Sequence, residues 1–223
     1  MATIEQRLFL LRHGESQTVT TDGRLRSAGD MPLTERGAAV ARSLAPLFAP
    51  LELGQIHASD QLRAVQTAQG VGGDGIEIVR HAALREISLG AADGRDAAAE
   101  FAAAPGFLYD PDVALPGGET PRQVRARAAA EVGEILTREG DAQPVVIVGH
   151  GCLNRMLLSH LLGLEISRAL RIRQDWGAVN VLERRGGEWR LGALNFNVGG
   201  LREFALTRQV TGVRPEVWQR LGQ

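Results

Sequence analysis

Two histidines in this 223-residue chain occupy matching local settings, one near the start of the sequence and one far along it. Arg12-His13-Gly14-Glu15-Ser16 follows directly on the apolar run Leu8-Phe9-Leu10-Leu11, and His150-Gly151 follows the β-branched run Val145-Val146-Ile147-Val148-Gly149. Short apolar runs of this kind read as core strands passing into turns. In open α/β sheets, ligands bind beyond the carboxyl ends of the strands. If the two strands are parallel neighbours, both imidazoles meet at one edge of the sheet. A single histidine at a strand end is commonly a hydrogen-bonded structural residue. Two of them, each followed by Gly and one preceded by Arg, point to chemistry instead. Arg12 contributes a permanent cation whose planar fork suits phosphate, so the chemistry indicated is phosphoryl transfer.

The elements needed to position these residues can be read between them. Thr18 to Asp30 is polar, contains Gly23 and Gly29, and reads as a loop beside the site that also carries Arg24 and Arg26. Pro32-Leu33-Thr34 introduces a helix to about Phe48, with Pro46 and Pro50 marking its end. Gln55 to Ala58 is a short strand. Ser59 or Asp60 is placed to cap the helix that follows, and this puts Arg63 in its first turn, where a helix start already favours anions. Ile76 to Val79 reads as an edge strand, Leu84 to Arg95 as irregular and Ala97 to Ala104 as helical. Pro105 to Gly118, with three prolines and three glycines, reads as an excursion over the site.

Thr120-Pro121-Arg122-Gln123 carries a Thr cap, Pro at the first helical position and Gln three after the cap. The helix it starts should run to about Glu139, with Val124, Ala128, Val132 and Ile135 on its apolar face. Leu153 to Leu162 is the helix after the second histidine. Val179 to Glu183 and Trp189 to Leu194 form a hairpin across Arg185-Gly186-Gly187, and the tail from Val213 is a short helix. Strands and helices alternate, which predicts a three-layer α/β/α sandwich with a mostly parallel central sheet, residues 1–223 forming one domain.

Composition narrows the function. Acidic and basic side chains nearly cancel, 26 against 25, so no global field attracts nucleic acid or an anionic membrane, and anion binding must be local. Cys152 is the only cysteine, which excludes an intrachain disulfide and a cysteine-based zinc site. The N-terminus lacks the charged start and apolar core of a secretory signal, and no stretch approaches the roughly 20 apolar residues of a membrane span, so a cytoplasmic location is expected.

Taken in order, the motifs Leu11-Arg12-His13-Gly14-Glu15-Ser16, Pro32-Leu33-Thr34, Ser59-Asp60 with Arg63-Ala64 and Thr67-Ala68, Leu84-Arg85-Glu86-Ile87, Pro116-Gly117-Gly118-Glu119 and Val148-Gly149-His150-Gly151 resemble the histidine phosphatase superfamily, also called the phosphoglycerate mutase-like family. The resemblance implies that His13 is the nucleophile and becomes a phosphohistidine. It implies that Arg12, Arg63 and His150 grip the phosphoryl group, with Gly14, Ser16 and Gly151 lining the same site, and that Glu86 is the proton donor. Residue chemistry agrees. Neutral imidazole is a competent nucleophile near neutral pH and needs no metal or other cofactor, and fixed cations stabilise the charge spread over the transferring group.

Two positions depart from the family pattern. Val19 stands where many relatives have a phosphate-contacting asparagine, leaving Gln17, Thr18, Thr20 or Thr21 as substitutes. Asp175-Trp176-Gly177-Ala178 replaces a small polar turn. His57, His81, His160 and Cys152 fit no motif and read as structural or solvated, and the bland reading of Glu86 is a loop carboxylate paired with Arg85.

The expected reaction is hydrolysis of a small phosphorylated metabolite. The first alternative is a phosphoglycerate mutase-type transfer; however, the 64 positions from Glu86 to His150 leave little room for the insertion that shields the mutase intermediate. The second is a non-catalytic phosphate-binding module. Arg24, Arg26, Arg95 and Tyr109 come from loops able to overhang the site, and the superfamily resemblance is compatible with a homodimer.

Overall fold

The computed structural model describes residues 4–17, 23–25, 31–108, 110–141 and 143–197. Val19 with its neighbours Thr18, Thr20 and Thr21, together with Arg26, Tyr109 and the tail from Val213, lies outside these described residues.

Six strands form one sheet: β1 (Gln6–Arg12), β2 (Gln55–Ser59), β3 (Glu77–His81), β4 (Val145–Gly149), β5 (Val179–Arg185) and β6 (Glu188–Phe196). Their order is β3-β2-β4-β1-β5-β6. The four strands from β3 to β1 are mutually parallel, while β5 and β6 run antiparallel as the expected hairpin. The two histidine-bearing strands are parallel neighbours, with Leu11 opposite Val148 and Arg12 opposite Gly149.

Helices α1 (Glu35–Phe48) and α2 (Leu62–Gly72) cover one face of the sheet, and α4 (Pro121–Glu139) and α5 (Gly151–Leu161) the other. The short helices α3 (Ala97–Ala103) and α6 (Ile166–Ala169) complete the set. The apolar runs at the centre divide residue by residue between the layers, as the two-residue period of a strand requires. Leu8, Leu10, Val145 and Ile147 pack with Val124, Ala128 and Ile135 of α4 and Leu153 and Met156 of α5. Leu11, Val146 and Val148 pack with Leu44 and Phe48 of α1 and Ala64 and Ala68 of α2. Among the described residues no helix is long and apolar enough to cross a membrane.

Helix starts follow the local chemistry in two cases out of three. Thr34 caps α1 by accepting from the Gly37 N–H, and Thr120 and Gln123 form a reciprocal capping box on α4. The cap of α2 is Gln61 rather than Ser59 or Asp60, and it makes no side-chain cap bond. The reason is competition. The Asp60 carboxylate is held by both arms of Arg85 at 2.7 and 2.5 Å, while Ser59 Oγ accepts from the Gln61 N–H one step too early.

Candidate active site

The residues singled out for chemistry lie at or just beyond the carboxyl ends of the four parallel strands, Arg12 being the last residue of β1. His13 follows β1, His150 follows β4, Arg63 sits at the second position of α2 after β2, and Glu86 comes five residues after β3. The backbone ties the first two together, because the His13 N–H donates to the Gly149 carbonyl at 2.9 Å. The imidazole centroids are 5.1 Å apart and the rings are tilted by 60°.

Gly14 makes the turn after β1 feasible. A Cβ there would lie 2.6 Å from the Gly37 carbonyl oxygen, so the chain passes against the first turn of α1 only without a side chain. The Gly14 N–H donates to Thr67 Oγ1 of α2, which in turn donates to the Arg63 carbonyl, so one hydroxyl links β1 to the helix carrying Arg63. Ser16 is buried, and its Oγ has no hydrogen-bond partner among the described residues.

The His13 ring has a defined tautomer. Nδ1 lies 2.7 Å from the Gly14 carbonyl oxygen, an acceptor only, so Nδ1 carries the proton and Nε2 keeps its lone pair. Burial, reinforced by the cations Arg12 and Arg63, holds the His13 pKa well below the ordinary histidine value; the backbone bond opposes this. His150 is fully buried and is also held well below that value, by burial first, then by His13, Arg63 and Arg12. Neither His150 ring nitrogen has a hydrogen-bond partner among the described residues. Both rings are therefore neutral at pH 7, and His13 Nε2 keeps a lone pair able to attack an electrophile.

The arginines are fixed from behind. Arg63 is 1% exposed, an unusual environment for a guanidinium, and its Nη2 donates to Gln61 Oε1 at 2.8 Å. Gln61 Oε1 also accepts the Glu86 N–H, so a single amide sets both residues. Arg12 Nη1 donates to the Gln174 carbonyl at 2.5 Å, and its guanidinium lies over the Trp176 ring, 5.5 Å from the centroid. Burial and the nearby Arg155 lower the Arg12 pKa to about 10, which still leaves it charged at neutral pH.

The segment 175–178, read as a departure from the family pattern, is thus the wall behind Arg12: the Arg12 N–H donates to the Ala178 carbonyl, and the Gly177 N–H donates to that of His13. Beneath it lies a buried amide cluster of Asn154, Gln174 and Asn180, anchored to β1 by the Asn180 Nδ2 bond to the Leu10 carbonyl. Sequence reasoning missed Gln61, Gln174, Asn154 and Asn180. Their only signal is the burial of an amide that would otherwise suit a surface.

Glu86 does not pair with Arg85, which is taken by Asp60. Its carboxylate reaches across to the first turn of α5, where Oε2 accepts from the Cys152 N–H and Oε1 from the Leu153 N–H, both at 3.2 Å. It thus caps the helix that presents His150, a task the His150 side chain does not perform. Arg127 of α4 secures the loop, donating to the Ala83 and Glu86 carbonyls while paired with Glu119. The end of the excursion, residues 116–118, packs on this loop: the Ala91 N–H donates to the Pro116 carbonyl, and Gly90 (φ +56°) lies so close to Gly117 and Gly118 that no Cβ fits. Arg24 reaches across to the Gly94 carbonyl of the 84–95 segment, and Arg95 pairs with Glu100 of α3. Burial pushes the Cys152 thiol up, away from thiolate chemistry, and His160 is exposed on the last turn of α5.

The chain is similar in sequence and in fold to known proteins. The chain is 33% identical over 172 residues, 72% of its length and 76% of the relative's, to a glucosyl-3-phosphoglycerate phosphatase of Mycolicibacterium vanbaalenii. It is 29% identical over 188 residues, 82% of its length and 86% of the relative's, to a probable phosphoglycerate mutase of Cronobacter sakazakii. The structure of a mycobacterial glucosyl-3-phosphoglycerate phosphatase superposes with a TM-score of 0.75 at 29% identity, covering 86% of this chain and 99% of that one. With residues 8–197 matching the family model for branch 1, the chain belongs to the histidine phosphatase superfamily.

Proposed function

We propose that the chain is a metal-independent phosphomonoesterase acting on a small phosphorylated metabolite through a phosphohistidine at His13. The observation that carries this reading is a buried, neutral His13, its Nε2 unprotonated, facing a second buried imidazole at 5.1 Å with Arg12 and Arg63 beside it. His13 Nε2 attacks phosphorus, the P–O bond to the alcohol breaks, and Glu86 delivers the proton that the departing oxygen needs. Arg12, Arg63 and His150 hold the phosphoryl oxygens, with Gly14, Ser16 and Gly151 close against them. Water then attacks the phosphohistidine, the P–N bond breaks, and Glu86 recovers its proton. The same reading takes residues 1–223 as one cytoplasmic domain whose partner is the metabolite rather than nucleic acid or membrane.

The similarity to a probable phosphoglycerate mutase supports a second reading, in which the phosphohistidine is returned to an acceptor alcohol. One experiment addresses both. Incubation with aryl phosphate in the presence of a chelator, followed by an alkaline quench, should trap a base-stable, acid-labile phosphoryl group on His13. With 3-phosphoglycerate as substrate, release of inorganic phosphate supports hydrolysis, and conversion to the 2-isomer primed by bisphosphoglycerate supports transfer. Turnover with no adduct on His13 overturns the proposal.

A further inference from the structure

We propose that Arg155 is a specificity residue that recognises a second anionic group on the substrate, a carboxylate or a further phosphate a few bonds from the scissile ester. This rests on the phosphomonoesterase reading and extends it from the phosphoryl group to the leaving alcohol. Arg155 lies one helical turn beyond Gly151 on α5, on the same face. Its Nε donates to the Ile172 carbonyl at 2.6 Å, which fixes the half-buried guanidinium on the 172–176 segment that also backs Arg12.

The two guanidinia converge over Gly151. A Cβ at that glycine would lie 3.4 Å from Arg12 Nε and 3.5 Å from Arg155 Nη1, ordinary contact distances, so both guanidinia border the first residue of α5 beside His150. Arg155 is second only to burial in depressing the Arg12 pKa, so the two charges repel across it.

Other arginines around the site have a carboxylate within ion-pair distance: Arg85 has Asp60, Arg127 has Glu119 and Arg173 has Asp175. Arg155 has none among the described residues, although its Nε is ordered by a strong bond. Glu86 and Asp175 offset part of the charge on Arg12, whereas among the described residues no carboxylate stands at ion-pair distance from Arg155, and a half-buried cation so placed is completed by an anion supplied from outside. Arg12 is committed to the phosphoryl group, so the arm of Arg155 nearest Gly151 serves a charge on the remainder of the molecule. With its Nε–H donated to the Ile172 carbonyl, the two Nη groups remain to grip a carboxylate or phosphate end-on.

Matched ligands test this. 3-Phosphoglycerate and glycerol 3-phosphate share a carbon skeleton and differ in a carboxylate, and 2,3-bisphosphoglycerate adds a second phosphate. In turnover, Arg155→Gln should raise the KM for 3-phosphoglycerate about tenfold or more beyond any rise for glycerol 3-phosphate, with kcat affected far less. Arg155→Lys should recover part of the discrimination. Calorimetric binding to His13→Ala protein, with and without Arg155→Gln, reads the same preference with no need for turnover. Failure of the phosphomonoesterase reading therefore shows as absent turnover, and failure of this inference as absent discrimination. If 2,3-bisphosphoglycerate shows the larger differential, the anion is a phosphate; if 3-phosphoglycerate does, it is a carboxylate. Equal losses on all three ligands, or an unsubstituted protein that binds glycerol 3-phosphate as tightly as the carboxylated and bisphosphorylated compounds, would overturn the assignment.

Discussion

The fold contains two buried histidine pairs with the same ring separation and opposite surroundings. His13 and His150 have centroids 5.1 Å apart, as do His57 and His81. The first pair faces Arg12 and Arg63, and neither ring bonds the other. The second pair is bonded to its surroundings: His57 Nδ1 and His81 Nε2 share a hydrogen bond at 3.0 Å, His81 Nδ1 donates to Glu131 at 2.7 Å, and His57 Nε2 lies 3.3 Å from Glu139 without a hydrogen bond. Ring distance and burial do not separate a reactive pair from a structural one. The separation lies in what surrounds the rings: arginine cations on one side, carboxylates and a ring-to-ring hydrogen bond on the other.

The harshest test of this contrast is removal of one ring from each pair. His13→Ala should lower turnover of aryl phosphate by about 10⁴-fold or more, since it deletes the attacking atom, while the melting temperature stays close to the unsubstituted value. His57→Ala should leave kcat within about twofold and instead cost about 1–3 kcal/mol in denaturant unfolding, because it strands the His81 and Glu139 groups it faced. A reversed pattern, with activity lost at position 57 and kept at position 13, would put the chemistry on the wrong pair.

Glu86 sharpens the contrast from the carboxylate side. Glu131 and Glu139 bind imidazoles, whereas Glu86 binds backbone N–H groups at the start of α5. Glu86→Gln should slow alkyl phosphates by about 10²- to 10⁴-fold and activated aryl phosphates much less, because only poor leaving groups need the proton. The same substitution weakens the cap of α5 and should lower stability by about 0.5–2 kcal/mol. Equal rate losses on alkyl and aryl esters would leave Glu86 the capping role alone.

How far this was readable from the residues depends on how local each signal is. Leu8–Leu11 and Val145–Val148 revealed their strands and the histidines they deliver because a strand ending in a Gly turn is a local pattern. The Thr120–Gln123 box revealed the start of α4 for the same reason. The support behind Arg12 is not local. Gln174, Asn180 and Asn154 come from a loop, a strand and a helix, and each alone resembles a surface amide. The cap of α2 went to Gln61 because Arg85, 25 residues away, claims Asp60, a competition invisible at the helix start. The His57–His81 pair needs the β2–β3 register, which sets Ser59 beside His81 and His57 beside Val79. No spacing in the sequence announces it.

The smallest expected effect is a difference in slope. Burial lowers the His57 pKa first, His81 and Arg138 lower it further, and Glu139 opposes them; for His13, burial is joined by two arginines and no carboxylate. A histidine whose folded pKa lies below the ordinary 6.5 is neutral in the native state. Its contribution to stability is complete above pH 6.5 and is lost as pH falls through the folded value, because the unfolded chain binds the proton first. His13 and His57 therefore both make the protein less stable in acid, but unequally. Between pH 7.5 and 5, denaturant midpoints should fall most steeply for the unsubstituted protein and least for His13→Gln, with His57→Gln between them, since Glu139 and Glu131 shelter a charge on the second pair. If His57→Gln flattens the profile as much as His13→Gln, the carboxylates of α4 give no such shelter, and the electrostatic distinction between the two pairs fails.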